Sequence, residues 1–339
     1  MKVGEHQAKQ SNYTILIKRE GTASFWDSLM EVLSMTLSVD MLRMSSDSRS
    51  GDPFITVPAD MPRTQVIILD EFPEGPVYNL WSLFAGSAPV RIGDILDDEV
   101  RAEALLSAHT AIIPLPGGSN PLAQIGEDDV PGCHNSALAR TFARRVLQNY
   151  GVLHPQGGNS ISEVVRVTFI ARTGTRRIRN IDHLLQALHR AFPNIIAQAV
   201  DFAAIPMSDQ LQIVQSTDIL VGAHGAGLSH IMFMREGKGA VVEIQPAGLS
   251  ELDHQARYKN LAAMMGQEYF LAEAEVVPFG QKGSCRAETE QGKEEDKPKA
   301  VEIELARRDT EIAIGEVEFV AQIGRAIKAL VSRELASHN

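Results

Sequence analysis

Two segments of this sequence carry residue types and spacing that suit binding of an anion. The first is DILVGAHGAGL, Asp218 to Leu228, in which an apolar run leads into His224 and then Gly225, Ala226, Gly227 and Leu228. If that run is a strand of an open parallel sheet, a ligand binds beyond its carboxyl end. Small residues, Gly222 among them, let a ligand approach the backbone. The N–H groups opening the next helix favour a pyrophosphate-like anion, which His224 could hydrogen-bond. A tight turn with a structural histidine has the same composition, and the glycines leave both readings open. The second segment is IARTGTRRIRN, with Arg172, Arg176, Arg177 and Arg179 just past another apolar run and Asn180 opening a helix. The planar guanidinium fork clamps phosphate oxygens, so two such strand ends converging at one crevice would form a nucleoside-diphosphate site. A solvated basic turn is the alternative, and four arginines in so short a stretch speak against it.

Carboxylates come next. Glu243 ends the run VVEI and would bond a ribose or sugar hydroxyl, or else cap a helix or face solvent. Asp27 and Glu31 stand four apart, so on a helix both point one way and either could serve as a general base, as could an ordinary exposed face. Gly117, Gly118, Ser119 and Asn120 form a polar loop that would line an acceptor or donor pocket, or would be a plain turn. Several motifs are missing. There is no G-x-x-x-x-G-K-[ST], no G-x-G-x-x-G at a strand-to-helix junction and no G-x-S-x-G, which removes the usual signals for P-loop phosphoryl transfer, nicotinamide chemistry and serine hydrolysis. With no D-x-D pair, a metal-free, arginine-based site with no cofactor is the expectation. Cys133 and Cys285 lie far apart in the sequence and fit neither a zinc knuckle nor a disulfide framework.

The elements that must position these residues alternate. The chain has 339 residues, 44% hydrophobic, which favours two domains. Its net charge of -11 argues against a general nucleic-acid binder. No apolar run is long enough to span a membrane, and MKVGEHQAKQSNYT lacks the apolar core of an export signal. YTILIK reads as a strand, FWDSLMEVLSMTLSVDML as an amphipathic helix capped by Ser24, VIILD and AIIP as strands, and Ala137 to Tyr150 as a helix. From Val164 strands and helices alternate, which implies parallel βαβ crossovers in a doubly wound sheet. The expected division is an N-terminal α/β domain over 1–154, a linker at 155–162 and a Rossmann-like nucleotide-binding domain over 163–280. A mobile insertion at 281–300 and an extension over 301–339 complete it, the closing helix packing on either domain.

The stretch from Val167 to Met265 resembles the C-terminal domain of glycosyltransferase family 61, the DUF563 group. The resemblance rests on FIARTGTRRIRN, DILVGAHGAGLSHIMFM, AVVEIQP and YKNLAAMMGQEYF, in that order. FWDSLMEVLSM resembles the family's aromatic-His-x-x-x-Asp helix start, with Asp27 at the histidine position and Glu31 at the aspartate position. The resemblance implies a GT-B-like α/β fold of two Rossmann-like domains with the active site in a cleft between them. It implies inverting transfer of N-acetylglucosamine or xylose from a UDP-sugar to a hydroxyl of a glycoprotein or polysaccharide. Arg172, Arg176, Arg177, Asn180, His224, Gly225 to Leu228 and Glu243 would hold the donor, and Glu31 or Asp27 would take the acceptor proton. Family members work in the secretory lumen, where the sequon Asn12-Tyr13-Thr14 would be usable; a cytoplasmic location or a truncated start is the alternative. Two rival readings stand beside this one. One is a catalytically inactive nucleotide-sugar-binding scaffold, and the other is an unrelated α/β enzyme that uses the His224 loop for a different phosphorylated ligand.

Overall fold

A computed structural model describes residues 13–21, 24–96, 110–124, 134–152, 164–173, 177–247, 256–277 and 311–337. The expected linker at 155–162 and insertion at 281–300 lie outside these residues. The chain divides into two compact units, Met1–Gln124 and Ile125–Asn339.

In the first unit, short apolar runs form four parallel strands: β1 (Tyr13–Ile17), β2 (Thr64–Ile68), β3 (Val90–Arg91) and β4 (Thr110–Ile112), in the order β3-β2-β1-β4. β1 lies between β2 and β4, so the connections diverge to its two sides and leave a switch point at the carboxyl ends of β1 and β4. Helix α1 (Phe25–Met44) starts where the sequence places it, with the Asp27 N–H donating to Ser24 Oγ at 3.3 Å. It is not amphipathic over its first half. Every residue from Ser28 to Thr36 is buried, including Ser28, Glu31, Ser34 and Thr36, so its polar side chains must find partners inside. Ser34 donates to the Pro116 carbonyl at 2.8 Å and Thr36 to the Val32 carbonyl at 2.9 Å.

The second unit holds β5 (Val165–Ala171), β6 (Ile195–Asp201), β7 (Ile219–Ala223), β8 (Ala240–Pro246), β9 (Glu268–Val277) and β10 (Glu311–Ala313). Their order is β10-β9-β8-β7-β5-β6, and only the β9–β10 pair is antiparallel. Strands β7 and β8 are buried along their whole length, as central strands of a parallel sheet should be, although β8 carries Glu243 and Gln245 among its apolar residues. The helix Ile181–Ala191 buries Leu184, Ala187 and Leu188 against that sheet, the stripe its periodicity predicts.

Three expectations change. The helix Ala137–Asn149, read as the end of the first domain, lies in the second unit: the N–H groups of Asn135 and Ser136 donate to the carbonyls of Ala263 and Met264. An amphipathic helix announces that it needs an apolar partner, not which one. The segment Ala226–Phe233 winds as a 3₁₀ helix, with Leu228 to Phe233 all buried. The closing helix, Glu316–Ser337, packs in the second unit, where the Phe319 ring lies tilted against Phe169 at 5.7 Å between centroids and Ile323, Ala326 and Leu330 join the same core. Among the described residues no helix is long and apolar enough to cross a membrane.

Candidate active site

In the second unit β5 lies between β6 and β7, which puts the switch point of this sheet at the carboxyl ends of β5 and β7. Arg172 follows β5 there and His224 follows β7, so the structure brings together the two segments singled out for anion binding. The Arg172 guanidinium donates to the His224 carbonyl across a long 3.5 Å and has no carboxylate partner among the described residues. Burial alone pushes its pKa down, yet an arginine stays charged, so a half-buried cation stands here with no carboxylate partner among the described residues. The glycines divide by role. Gly225 has φ 145°, a conformation closed to other residues at reasonable cost. Gly222 and Gly227 are small for packing: a Cβ would come within 3.1 Å of Leu228 and 3.3 Å of Ile170, respectively.

Glu243 is not placed to bond a ribose or a sugar. It lies on β8 with 0% exposure, where Oε1 accepts from His224 Nδ1 at 2.5 Å and from Gln245 Nε2 at 3.0 Å. Its Oε2 accepts from the Tyr269 hydroxyl at 2.6 Å. Sequence reasoning missed Tyr258 and Tyr269. Tyr258 stands edge-on to His224 at 5.3 Å between ring centroids, and the only signal for it was its place in the YKN run.

The arginine-rich turn splits. Arg177 and Arg179 both pair with Glu311 of β10, and the turn is zipped to that strand by the Arg179 N–H to Ile312 carbonyl and Ile312 N–H to Arg177 carbonyl bonds. Their charge is therefore met within the fold. Arg176 lies outside the described residues. Asn180 takes the left-handed conformation at φ 58° and opens its helix through its backbone, its side chain making no capping bond.

In the first unit Glu31, Glu20, Asp70 and the Gly117 loop gather at the carboxyl ends of β1, β2 and β4. Glu31 Oε1 accepts the Glu20 N–H at 2.6 Å, while Oε2 is sealed from solvent with no hydrogen-bond partner among the described residues. Burial, outweighing the Glu20 N–H and nearby Arg19, pushes this carboxyl up to about 7. Arg19 cannot pair with it, because its guanidinium is committed to Asp70 and to the carbonyls of Phe72, Pro73 and Glu74. Asp27, one turn earlier, is exposed, so the two carboxylates share a helix but not an environment. A protonatable carboxyl near neutrality inside a strand-end crevice has the properties of a general base.

The GGSN loop meets this residue directly. Asn120 is buried with all its capacity used: Nδ2 donates to Met30 O, Ser34 Oγ and Gly117 O, and Oδ1 accepts from the Leu122 and Ala123 N–H groups. It anchors the loop to α1 and does not line a pocket, while Gly118 and Ser119 are exposed. At Gly117 a Cβ would lie 2.7 Å from Glu31 Cγ and 3.2 Å from its backbone nitrogen. Gly117→Ala should therefore destabilise the fold by about 1 to 2 kcal/mol in urea unfolding, through overpacking against a helix backbone that cannot retreat. Unchanged stability would show that the loop is not seated on Glu31.

A family profile described as Glycosyltransferase 61 matches residues 25–241, a range that includes Glu31, Arg172 and His224. The chain is 34% identical over 145 residues to the EGF domain-specific O-linked N-acetylglucosamine transferase of Bos taurus, covering 41% of this chain and 25% of the bovine protein. The protein of the same name from Drosophila melanogaster is 33% identical over 143 residues, and that from Xenopus laevis 34% over 141, each again with 25% of its length covered. The chain thus spans about a quarter of the length of the curated relatives it matches. Because the family match runs through both units and extends over well more than half of the sequence, the chain belongs to glycosyltransferase family 61.

Proposed function

We propose that this chain transfers a sugar from a UDP-sugar to a hydroxyl of a protein, with inversion and without a metal. The observation that carries the reading is Arg172, a half-buried cation with no carboxylate partner among the described residues, standing over the HGAG turn at a sheet's switch point. The acceptor oxygen would form its bond to the anomeric carbon as the bond from that carbon to the β-phosphate oxygen breaks. The electron pair leaves with UDP, whose charge Arg172 and the N–H groups opening the 3₁₀ helix would neutralise. The acceptor proton would pass to the ionised Glu31 carboxylate, and a single displacement inverts the configuration. The names of the relatives support N-acetylglucosamine as the sugar and an EGF-type domain as the acceptor. The secretory lumen is the compartment this reading expects.

Incubating the chain with UDP-N-acetylglucosamine and a folded EGF-type domain should add the mass of one N-acetylhexosamine to the acceptor. One observation favours a second reading, a nucleotide-sugar-binding scaffold: Glu31 Oε2 is enclosed and would need a side-chain rotation to meet an acceptor. UDP binding without transfer from any of a panel of UDP-sugars would decide for the scaffold. An arginine-based site also makes a separate prediction, that EDTA leaves the UDP affinity measured by calorimetry unchanged. Abolished binding would show that a divalent ion carries the diphosphate.

A further inference from the structure

A carboxylate on a buried strand needs a reason, because burying a charge destabilises a fold and apolar residues would pack β8 at least as well. Glu243 sits among Ala240, Val241, Val242 and Ile244, all fully buried. Three hydrogen bonds converge on it, from His224, Gln245 and Tyr269. Two of the donors are unambiguous. The amide Nε2 of Gln245 can only donate, and burial together with the Glu243 charge pushes the Tyr269 phenol up, so it keeps its proton and donates. A carboxylate that accepts on both oxygens leaves His224 Nδ1 as the third donor. The imidazole is then held with its proton on Nδ1 and with Nε2 on the opposite side of the ring. Tyr258 bounds the ring edge-on, and the His224 N–H donates to the Ile244 carbonyl at 2.9 Å, so the backbone on which the imidazole stands is fixed too.

We infer that Glu243 is a positioning residue which, braced by Tyr269, sets the tautomer and orientation of His224 so that its Nε2 accepts a hydrogen bond from a hydroxyl of the bound UDP. The assignment rests on the donor-site reading above and deepens it: the carboxylate acts through the histidine and touches no sugar. This is the relation between an orienting carboxylate and an imidazole in other polar sites, where removing the carboxylate leaves the imidazole present but misdirected.

The test uses the full chain, with UDP as the probe in calorimetry. Glu243→Gln should weaken UDP about 10-fold and Tyr269→Phe about 3-fold, each through a misdirected imidazole. In a His224→Ala background neither substitution should weaken UDP further, which a merely structural role would not produce. Equal losses in both backgrounds would overturn the inference. If Glu243→Gln fails to fold, the Tyr269→Phe cycle decides alone, since it removes one hydroxyl and keeps the ring. Long-range ¹H–¹⁵N spectra give a readout independent of UDP. Wild-type His224 should carry its proton on Nδ1, and a ring protonated on Nε2 alone would overturn the assignment. If wild type bound no UDP while Nδ1 stayed protonated, the donor reading would fall and the orienting role of Glu243 on His224 would stand.

Discussion

Glu31→Gln is expected to lower turnover on a verified acceptor by about 10²- to 10⁴-fold, the range for losing a general base, and to leave UDP affinity nearly unchanged. The same substitution should stabilise the fold at high pH. The Glu31 carboxyl titrates near 7 in the folded chain against 4.5 for an unperturbed glutamate, so the folded state binds this proton more tightly than the unfolded state. Stability that depends on it is fully present below the unfolded value and is lost as pH rises through about 7. Moving a titration midpoint by one pH unit is worth about 1.4 kcal/mol, so the ionised carboxylate costs the fold about 3 kcal/mol above that window. A neutral amide escapes most of this cost, less whatever its own unbonded N–H groups forfeit. The melting temperature of Glu31→Gln should therefore exceed that of wild type above neutrality and converge on it near pH 4.5, while its pH–rate profile loses the limb near 7. Asp27→Asn, on an exposed side chain, should do neither. Full turnover in Glu31→Gln would mean that α1 takes no part in proton transfer.

That a residue lowers stability at working pH and still occupies the core is a sign of function that the sequence alone could not display. The spacing of Asp27 and Glu31 correctly placed both on one helix, and Ser24 marked its start, because caps and periodicity are local properties. Burial is not local. Whether a helix is amphipathic or enclosed depends on what covers its second face, and here the GGSN loop does so through Asn120. The parallel sheet of the second unit was legible for a related reason: apolar runs and helices of ordinary length alternate, and few topologies accommodate them. Its polar pairings were not. Tyr269 meets Glu243 from 26 residues away, and Glu311 meets Arg177 from 134 residues away. Four clustered arginines look equivalent in the sequence until β10 claims two of them. Strand register decides such pairings, and neither composition nor motif spacing encodes it.

The division among those arginines makes Arg172 the one to remove. Arg172→Ala should weaken UDP by about 1.5 to 3 kcal/mol, roughly 10- to 150-fold, the range for a hydrogen bond to a charged group. The fold should tolerate the change. Arg172 makes one long hydrogen bond of 3.5 Å, and no carboxylate among the described residues offsets the burial that disfavours its charge, so alanine removes a desolvated cation and no ion pair. Arg177→Ala reverses the pattern: it strips Glu311, whose side chain is 6% exposed, of one of two cationic partners, so its loss should appear in urea unfolding more than in UDP affinity. Measured together in calorimetry and urea titration, the two variants separate charge aimed at the diphosphate from charge that holds β10 in place. If Arg172→Ala bound UDP as tightly as wild type, the cation at the switch point would not contact the donor. The HGAG turn would then have to hold the diphosphate through backbone N–H groups alone, a weaker anchor that should respond little to ionic strength.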